Sequence, residues 1–259
     1  MFFWKLISIS IRSQMQYSAS FLTLCLAHFL ATSAYILGVW ALFDRFHMVK
    51  GWTFYEVCLI YGIVNIGYGI AESFARGFEN FSRTLIQGDF DRILLRPVRP
   101  LIQMATHDVQ LMRLSRALQG GLVLAWSLSH FSFSMFSIQT LVIVFSIIGT
   151  ASLFYGLLII QAAISFWTIE TLEIMSITTY GGLQAGQYPM SIYDRPFRLI
   201  FTILIPLSCV AYYPVAILLR HESIPIGWAV IAPLSGLIFL YLACRLWNFG
   251  ARHYLSTGS

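Results

Sequence analysis

Arginines, aspartates and glutamates concentrate in one stretch, residues 76–101, which we call the charged segment. It holds eight charged residues in 26 positions, whereas the long apolar runs on either side hold almost none. They are Arg76, Glu79, Arg83, Asp89, Asp91, Arg92, Arg96 and Arg99. Side chains of both signs can form charge-assisted hydrogen bonds with another protein. The charged segment is therefore a candidate surface for binding a partner.

The charged segment also has an apolar side, whose residues recur at helical spacing: Phe78, Phe81, Leu85, Ile86 and Phe90. Gly88 and Asp89 indicate that one helix stops and another starts, and Pro97 and Pro100 end the second piece. On these residues alone, two interpretations are equally supported. One is a docking element, and the other is an amphipathic loop that lies on lipid headgroups while its arginines fix the topology.

Composition indicates a helical membrane protein. The chain is 58% hydrophobic and 10% charged, whereas a soluble domain carries about 25% charged residues. The apolar runs do not alternate as barrel strands do. The net charge of +5 gives no evidence for a nucleic-acid partner, because excess Lys and Arg in a membrane protein marks cytoplasmic loops. We expect a single all-α polytopic domain over residues 1–259.

Reaction-centre motifs are missing from the sequence. Neither Lys5 nor Lys50 follows a GxxxxG loop, so the chain has no P-loop for ATP phosphates. There is no HExxH motif, and the cysteines occur singly in apolar stretches, as buried apolar side chains do. These are Cys25, Cys58, Cys209 and Cys244. We therefore predict a non-catalytic subunit without a cofactor of its own.

Six membrane spans are predicted, since a span needs about 20 largely apolar residues. Five of them are residues 21–43, 54–75, 105–128, 138–166 and 226–247. The region 168–222 is ambiguous. Either 174–190 is a loop and 197–219 is the span, or 174–190 is the span and 197–219 is a hairpin with its tip near Pro206. Four prolines favour broken helices here: Pro189, Pro196, Pro206 and Pro214.

The distribution of basic residues predicts the orientation. Seven arginines fall between residues 76 and 116, whereas the first loop on the opposite side has only Arg45 and Lys50. Both termini and the charged segment are therefore expected in the cytoplasm. Residues 2–17 are amphipathic if helical, which suits a helix in the membrane interface, or else they simply flank the first span.

Ionisable groups within the predicted spans are few. Glu72 lies four residues before Arg76, which favours a helical salt pair near the cytoplasmic surface. His28 is expected to be a core histidine bonded to a neighbour. Four residues are candidates for lining a pathway, although amides can equally hold helices together. They are Asn65, Tyr68, Gln184 and Gln187. A carrier or channel that needs no ATP is the alternative function.

Three motifs resemble the permease subunits of ABC-2 type exporters, most closely the six-span ABC-2 family transporter proteins. QGDFDRILLRPVRPL at 87–101 is similar to the family's Gly-x-x-Asp-x-x-Leu-x-Arg-Pro signature. YPMSIYDRPFRLIFTILIPLSCVAYYPV at 188–215 is similar to its Tyr-Pro motif and broken extracellular hairpin. WNFGARHYLSTGS at 247–259 is similar to its Trp-x-x-Gly-x-x-x-Tyr-x-Ser ending. With the span pattern, the resemblance covers nearly the whole chain.

The resemblance implies a multi-pass protein of the plasma or inner membrane that works as a homodimer or with a related permease. Each permease binds a separate subunit that carries ATP and Mg. The contacts are an interfacial helix, here residues 1–18, and a coupling region between spans two and three, here residues 76–104. A re-entrant hairpin, here 196–219, precedes the last span. The residues expected to touch the ATP-binding subunit are Arg83, Asp89, Asp91, Arg92 and Arg96.

Overall fold

The structure is a computed structural model that describes residues 11–133, 137–168 and 177–254. These residues form helices and turns, with a single isolated bridge between Val49 and Trp52 and no β-strand among them. The predicted interfacial helix falls largely outside the described residues. Within it, residues 11–15 are helical.

Apart from the helical residues 11–15, the described part of the chain contains thirteen α-helices. They are α1 (Ser18–Phe46), α2 (Phe54–Phe74), α3 (Arg76–Glu79), α4 (Phe81–Ile86), α5 (Asp89–Leu94), α6 (Pro100–His107), α7 (Leu114–Leu128), α8 (Ile138–Thr168), α9 (Gly182–Gly186), α10 (Arg195–Leu199), α11 (Tyr213–Leu218), α12 (Ile226–Ile231) and α13 (Leu234–Arg252). Shorter 3-10 or π-helical turns adjoin α7, α9, α10 and α11.

Four helical stretches among the described residues are long and apolar enough to cross a membrane: α1, α2, α8, and α12 with α13 as one unit, Ile226–Arg252. A fifth is obtained if the bent pair Arg195–Leu204 and Ser208–Leu218 counts as one span. The two halves of this pair meet at 85°, and the break falls at residues 205–207. The predicted break near Pro206 is therefore present.

The predicted third span, 105–128, is wrong at its start. Helix α6 ends at His107, and Asp108 has an extended backbone (φ −142°, ψ 94°). The backbone N–H of Gln110 donates to the carbonyl of Ser73 at 3.0 Å, which fixes the chain against α2 instead of continuing the helix. Helix α7 then has 15 residues. It is about 22 Å long, shorter than a hydrocarbon core of about 30 Å.

The region predicted as span 174–190 is only partly described. Residues Ile177–Gly181 form a π-helical turn that leads into α9, so the helix is irregular where it is seen. Such irregular backbone at membrane depth is tolerated where protein surrounds it. Thr179, Gly182 and Leu183 are buried, in agreement with this rule.

Helix α2 lies at the centre of the bundle. It packs between α7 and α8, and α8 in turn packs along α13. In the apolar stretch of 18 residues taken from each helix, 83% of the α2 stretch is buried but only 11% of the α1 stretch. Helix α1 therefore lies at the edge, where it exposes large apolar side chains. Among these are Leu22, Leu26, Leu30, Leu37 and Trp40.

A second apolar core lies at one end of α8 and α13. Its buried residues come from those two helices and from the charged segment and α6. Phe78, Phe81 and Phe90 of the charged segment are all at most 1% exposed. The charged segment is thus an integral part of the fold.

Candidate functional site

The charged segment folds as a chain of short helices, α3 to α5, followed by α6. The predicted stop and restart lies where expected, because α4 ends at Ile86 and α5 begins at Asp89. Gly88 between them has φ 71°, in the left-handed region that side chains with a Cβ rarely adopt. Pro100 occupies the first turn of α6, where its missing N–H costs nothing.

The apolar side of the charged segment rests on an aromatic cluster. We give this name to Phe78, Phe81, Phe90, Phe166, Trp247 and Tyr254. The ring of Trp247 lies 4.6 Å from that of Phe81 and 5.3 Å from that of Phe78, centroid to centroid. Phe90 lies 5.4 Å from Phe166 of α8. The phenylalanines of the charged segment therefore pack inside the protein and not on lipid headgroups.

The C-terminal motif supplies one wall of this cluster. Trp247 is fully buried, and Tyr254 packs edge-on against Phe90 at 5.0 Å. At Gly250 an added Cβ would lie 2.5 Å from the Phe166 ring, so only glycine permits this approach. Burial, and then the charge of Asp91, raises the pKa of the Tyr254 hydroxyl. Two motifs that are far apart in sequence thus meet at one place.

Sequence reasoning missed this contact, although a signal for it is present. Trp247 and Gly250 are three residues apart on one face of α13, and Tyr254 follows four residues later, just beyond the end of that helix. The same spacing relates Phe78 and Phe81. Two such aromatic faces could pack against each other, but periodicity does not reveal which faces are in contact.

The charged side forms an open groove of about 440 Å³, which we call the charged groove. Four of the five residues predicted to touch a partner line it: Arg83, Asp89, Arg92 and Arg96. Nη1 of Arg92 lies 3.4 Å from Oδ1 of Asp89, and these side chains are 82% and 48% exposed. An ion pair this exposed contributes only about 0 to 1 kcal/mol, so a partner can replace it at little cost. Asp91 lies apart, next to Tyr254.

The predicted pair between Glu72 and Arg76 is wrong. Helix α2 ends at Phe74, and Ala75 has φ −111° and ψ 8°, so the two residues do not share one continuous helix. Arg76 instead pairs with Glu79 at 2.5 Å. Glu72 is 2% exposed and pairs with Arg113, while Nε of Arg116 lies 3.7 Å from its Oε2.

This buried ion cluster, Glu72 with Arg113 and Arg116, joins the end of α2 to the start of α7. The Arg116 guanidinium also lies 5.2 Å from the ring centroid of Tyr68. On the same first turn of α7, Ser115 Oγ is 2.9 Å from Nδ1 of His28 in α1. The prediction that His28 is bonded to a neighbour is confirmed.

The residues predicted to line a pathway are placed unequally. Asn65, Tyr68 and Gln187 are at most 4% exposed, within the bundle of this single chain. The amide of Asn65 donates to the carbonyl of Tyr61 at 2.8 Å, and Gln187 Nε2 lies 3.5 Å from Asn65 Oδ1. Gln184 lies on the surface. The structure therefore brings Asn65 and Gln187 together and leaves Gln184 apart from them.

No group of three or more His, Cys, Asp or Glu side chains suited to a metal occurs in the described ranges. The charged segment has an exposed charged groove on one side and a buried aromatic cluster on the other. Together with the apolar helices, this arrangement defines a multi-pass membrane protein that exposes the charged groove at one end.

The family follows from comparison with known proteins. Residues 29–258 match the family described as ABC-2 family transporter protein. This match covers most of the chain, and the chain belongs to that family, whose members are membrane permeases of ABC transporters. Neither the curated proteins nor the solved structures include a match.

Proposed function

We propose that this chain is the transmembrane permease subunit of an ATP-driven ABC exporter, and that a separate ATP-binding subunit docks on the coupling region, residues 76–104. One observation carries the proposal. The charged segment offers Arg83, Asp89, Arg92 and Arg96 in an exposed groove while its phenylalanines are locked to the ends of the spanning helices. A protein that binds the charged groove is therefore connected to the helix bundle through this buried packing.

The buried contacts suggest how a push is transmitted. When partner subunits close on ATP, they displace α4 and α5. Packed interiors deform little, so the displacement passes through Phe81 and Phe90 to Trp247 of α13 and Phe166 of α8. The spans then move as rigid bodies and open a pathway to the other side. ATP and Mg bind to the partner subunit, and in this chain the charged segment transmits the displacement.

The topology that goes with this mechanism has the charged segment and both termini in the cytoplasm of a plasma or inner membrane. The excess of arginines in the charged segment supports this side. The bent pair, whose halves meet at 85°, is then a re-entrant hairpin over 196–219 that enters from the opposite face. Six spans result if 111–128 and 174–190 complete the count.

A second permease, either a copy or a relative, completes the transporter. Helix α1 exposes much of its apolar surface, so it is available to a partner chain as well as to lipid. The pathway runs between the two permeases, along the first, second and fifth spans. Gln184 is exposed in the single chain and can therefore line this pathway directly. Asn65, Tyr68 and Gln187 line the pathway only after the helices part, because they are buried.

Co-purification with the ATP-binding subunit, followed by transport in vesicles, tests the proposal. The double variant Arg83→Ala with Arg92→Ala should lose subunit binding and ATP-dependent transport while inserting normally. Arg45→Ala with Arg195→Ala is the matched control, since both arginines are exposed and lie outside the charged segment. If the first pair binds and transports like the control, the docking assignment is wrong. Robust transport by this chain alone, without ATP, would establish the carrier or channel instead.

A further inference from the structure

A cavity of about 600 Å³ lies between the start of α1 and the charged segment, and it shares Ile93, Arg96, His107 and Asp108 with the charged groove. Its wall on the α1 side combines Tyr17, Phe21 and Leu24 with polar residues, which are Ser13, Gln14 and Ser20. Its other wall carries Arg96, Gln103, His107 and Asp108. The volume lies within the range of about 300 to 1,000 Å³ that is typical of ligand pockets.

The most informative residue of this cavity is Gln103, which is 5% exposed. Its Nε2 donates to two carbonyls, that of Ile93 at 2.9 Å and that of Val98 at 2.7 Å. Because both partners are acceptors, the nitrogen must face them, and the oxygen is directed elsewhere. Oε1 has no partner among the described residues. A buried, unpaired acceptor costs about 1 to 3 kcal/mol, so a ligand that donates a hydrogen bond here is favoured.

The charges of the cavity narrow the ligand class. Asp108 is a half-buried carboxylate whose Oδ2 has a long contact, 3.4 Å, with Nε2 of Gln110. Arg96 forms no ion pair within the described ranges and is exposed at the rim. Besides His107, the polar wall therefore offers one cation (Arg96), one carboxylate (Asp108) and one neutral acceptor (Gln103). A ligand that complements it has an anion next to a cation that carries N–H donors.

The cavity also has the position that such a ligand needs. The amide of Gln14, in the helical residues 11–15 just before α1, connects this part of the chain to the segment after α6, since its Nε2 donates to Val109 O and its Oε1 accepts from the N–H of Leu111. This clamp holds the start of a lipid-facing helix beside the polar wall. An apolar tail that leaves the cavity can therefore run along Phe21 and Leu24 of α1 into the bilayer.

We propose that this cavity binds the headgroup of a phosphoethanolamine lipid. The phosphate pairs with Arg96, with His107 beside it, and the ammonium donates to Gln103 Oε1 and Asp108. An ammonium has three N–H donors, whereas the quaternary amine of phosphocholine has none. Phosphoglycerol lacks the cation, so its phosphate can pair with Arg96 but the Asp108 carboxylate is left without a counter-charge. The site depends on membrane insertion, and it stands whether or not the chain is ATP-driven.

Native mass spectrometry of the full chain, exchanged into each of three phospholipids with matched acyl chains, tests the proposal. Phosphatidylethanolamine should be retained about tenfold more strongly than phosphatidylcholine or phosphatidylglycerol, the effect of about one charge-assisted hydrogen bond. Equal retention of the three lipids, or preference for either competitor, overturns the proposal.

Variants locate the binding. Asp108→Asn should remove most of the headgroup preference, and Ser20→Trp should block the cavity from the exposed side of α1, where Ser20 lines it. Asp44→Asn and Thr23→Trp are the matched controls, because both residues are exposed on α1 and neither lines the cavity. If the cavity variants bind as the controls do, the lipid sits elsewhere and the proposal fails. Should a variant misfold, the headgroup competition on the unaltered chain still decides.

Discussion

The two sides of the charged segment differ in what they contribute to the fold. Phe78, Phe81 and Phe90 are at most 1% exposed, whereas the Arg92 and Asp89 side chains are 82% and 48% exposed. Burying a phenylalanine is worth about 1.5 to 3 kcal/mol, and an exposed ion pair about 0 to 1 kcal/mol. One side therefore holds the segment in place, and the other is left free to bind.

The same contrast applies to ion pairs around the charged segment. Glu72 is 2% exposed and shares two arginines, whereas the Asp89 pair is open to solvent. Buried charges cannot exchange partners without a large cost, while exposed ones can. We therefore expect substitutions on the buried side to change stability and those on the exposed side to change partner binding.

The largest expected effect comes from truncating the aromatic cluster. Trp247→Ala should lower the free energy of unfolding by about 3 to 5 kcal/mol, because it leaves a cavity beneath three phenylalanines. The change is measured by unfolding the protein in detergent and monitoring the helical circular dichroism signal, which does not require a tryptophan probe. Trp228→Ala is the control, since that side chain is 57% exposed. Similar losses in both variants would contradict the distinction between the two sides.

Breaking the buried ion cluster should come next. Glu72→Gln leaves Arg113 and Arg116 without their counter-charge, for a cost of about 3 kcal/mol. Asp89→Asn removes a comparable pair at the surface and should cost less than about 1 kcal/mol. Comparing the two unfolding midpoints checks this. A loss in the Asp89 variant as large as that in the Glu72 variant would show that exposure does not set the cost.

The turn between α4 and α5 should give a smaller effect. Gly88→Ala places a Cβ at φ 71° and should cost about 1 kcal/mol, through strain and not through packing. Gly121→Ala is the opposite control. It lies within α7 with nothing within 4 Å of an added Cβ, so alanine should stabilise it by about 0.5 to 1 kcal/mol. Thermal unfolding of both variants tests the predicted difference in sign.

The smallest effect is expected at Tyr254, where the two sides meet. Tyr254→Phe should cost less than about 1 kcal/mol at neutral pH. The raised pKa means that the folded protein keeps this proton at a pH where the unfolded chain loses it. The stability contributed by the hydroxyl is therefore present below pH about 10 and falls as the pH rises through the folded-state pKa.

The stability contributed by the Tyr254 hydroxyl is measured as a function of pH. It is the difference in unfolding free energy between the unaltered chain and the Tyr254→Phe variant. The difference should shrink above pH about 10. A difference that grows there would mean that the hydroxyl is stabilised in its ionised form, against the charge of Asp91.

Local features of the sequence predicted local features of the fold. The break near Pro206 follows from a residue that restricts its own backbone, and the turn at Gly88 follows from a residue that can adopt the left-handed region. The failures occurred where the backbone departs from a regular helix without such a signal. Ala75 ends the continuity between Glu72 and Arg76, and Asp108 ends α6 before the predicted span is established. Neither residue type marks a helix end by itself.

The sequence by itself determined the class of protein, because an apolar composition with 10% charged residues has no water-facing alternative. It also determined where the charges concentrate, since that depends only on order along the chain. The tertiary structure decided which faces are buried and which ions pair. Arg113 lies 41 positions from Glu72, and Trp247 meets Phe81 from the far end of the chain. Such contacts depend on how whole helices pack, and local periodicity contains no information about that.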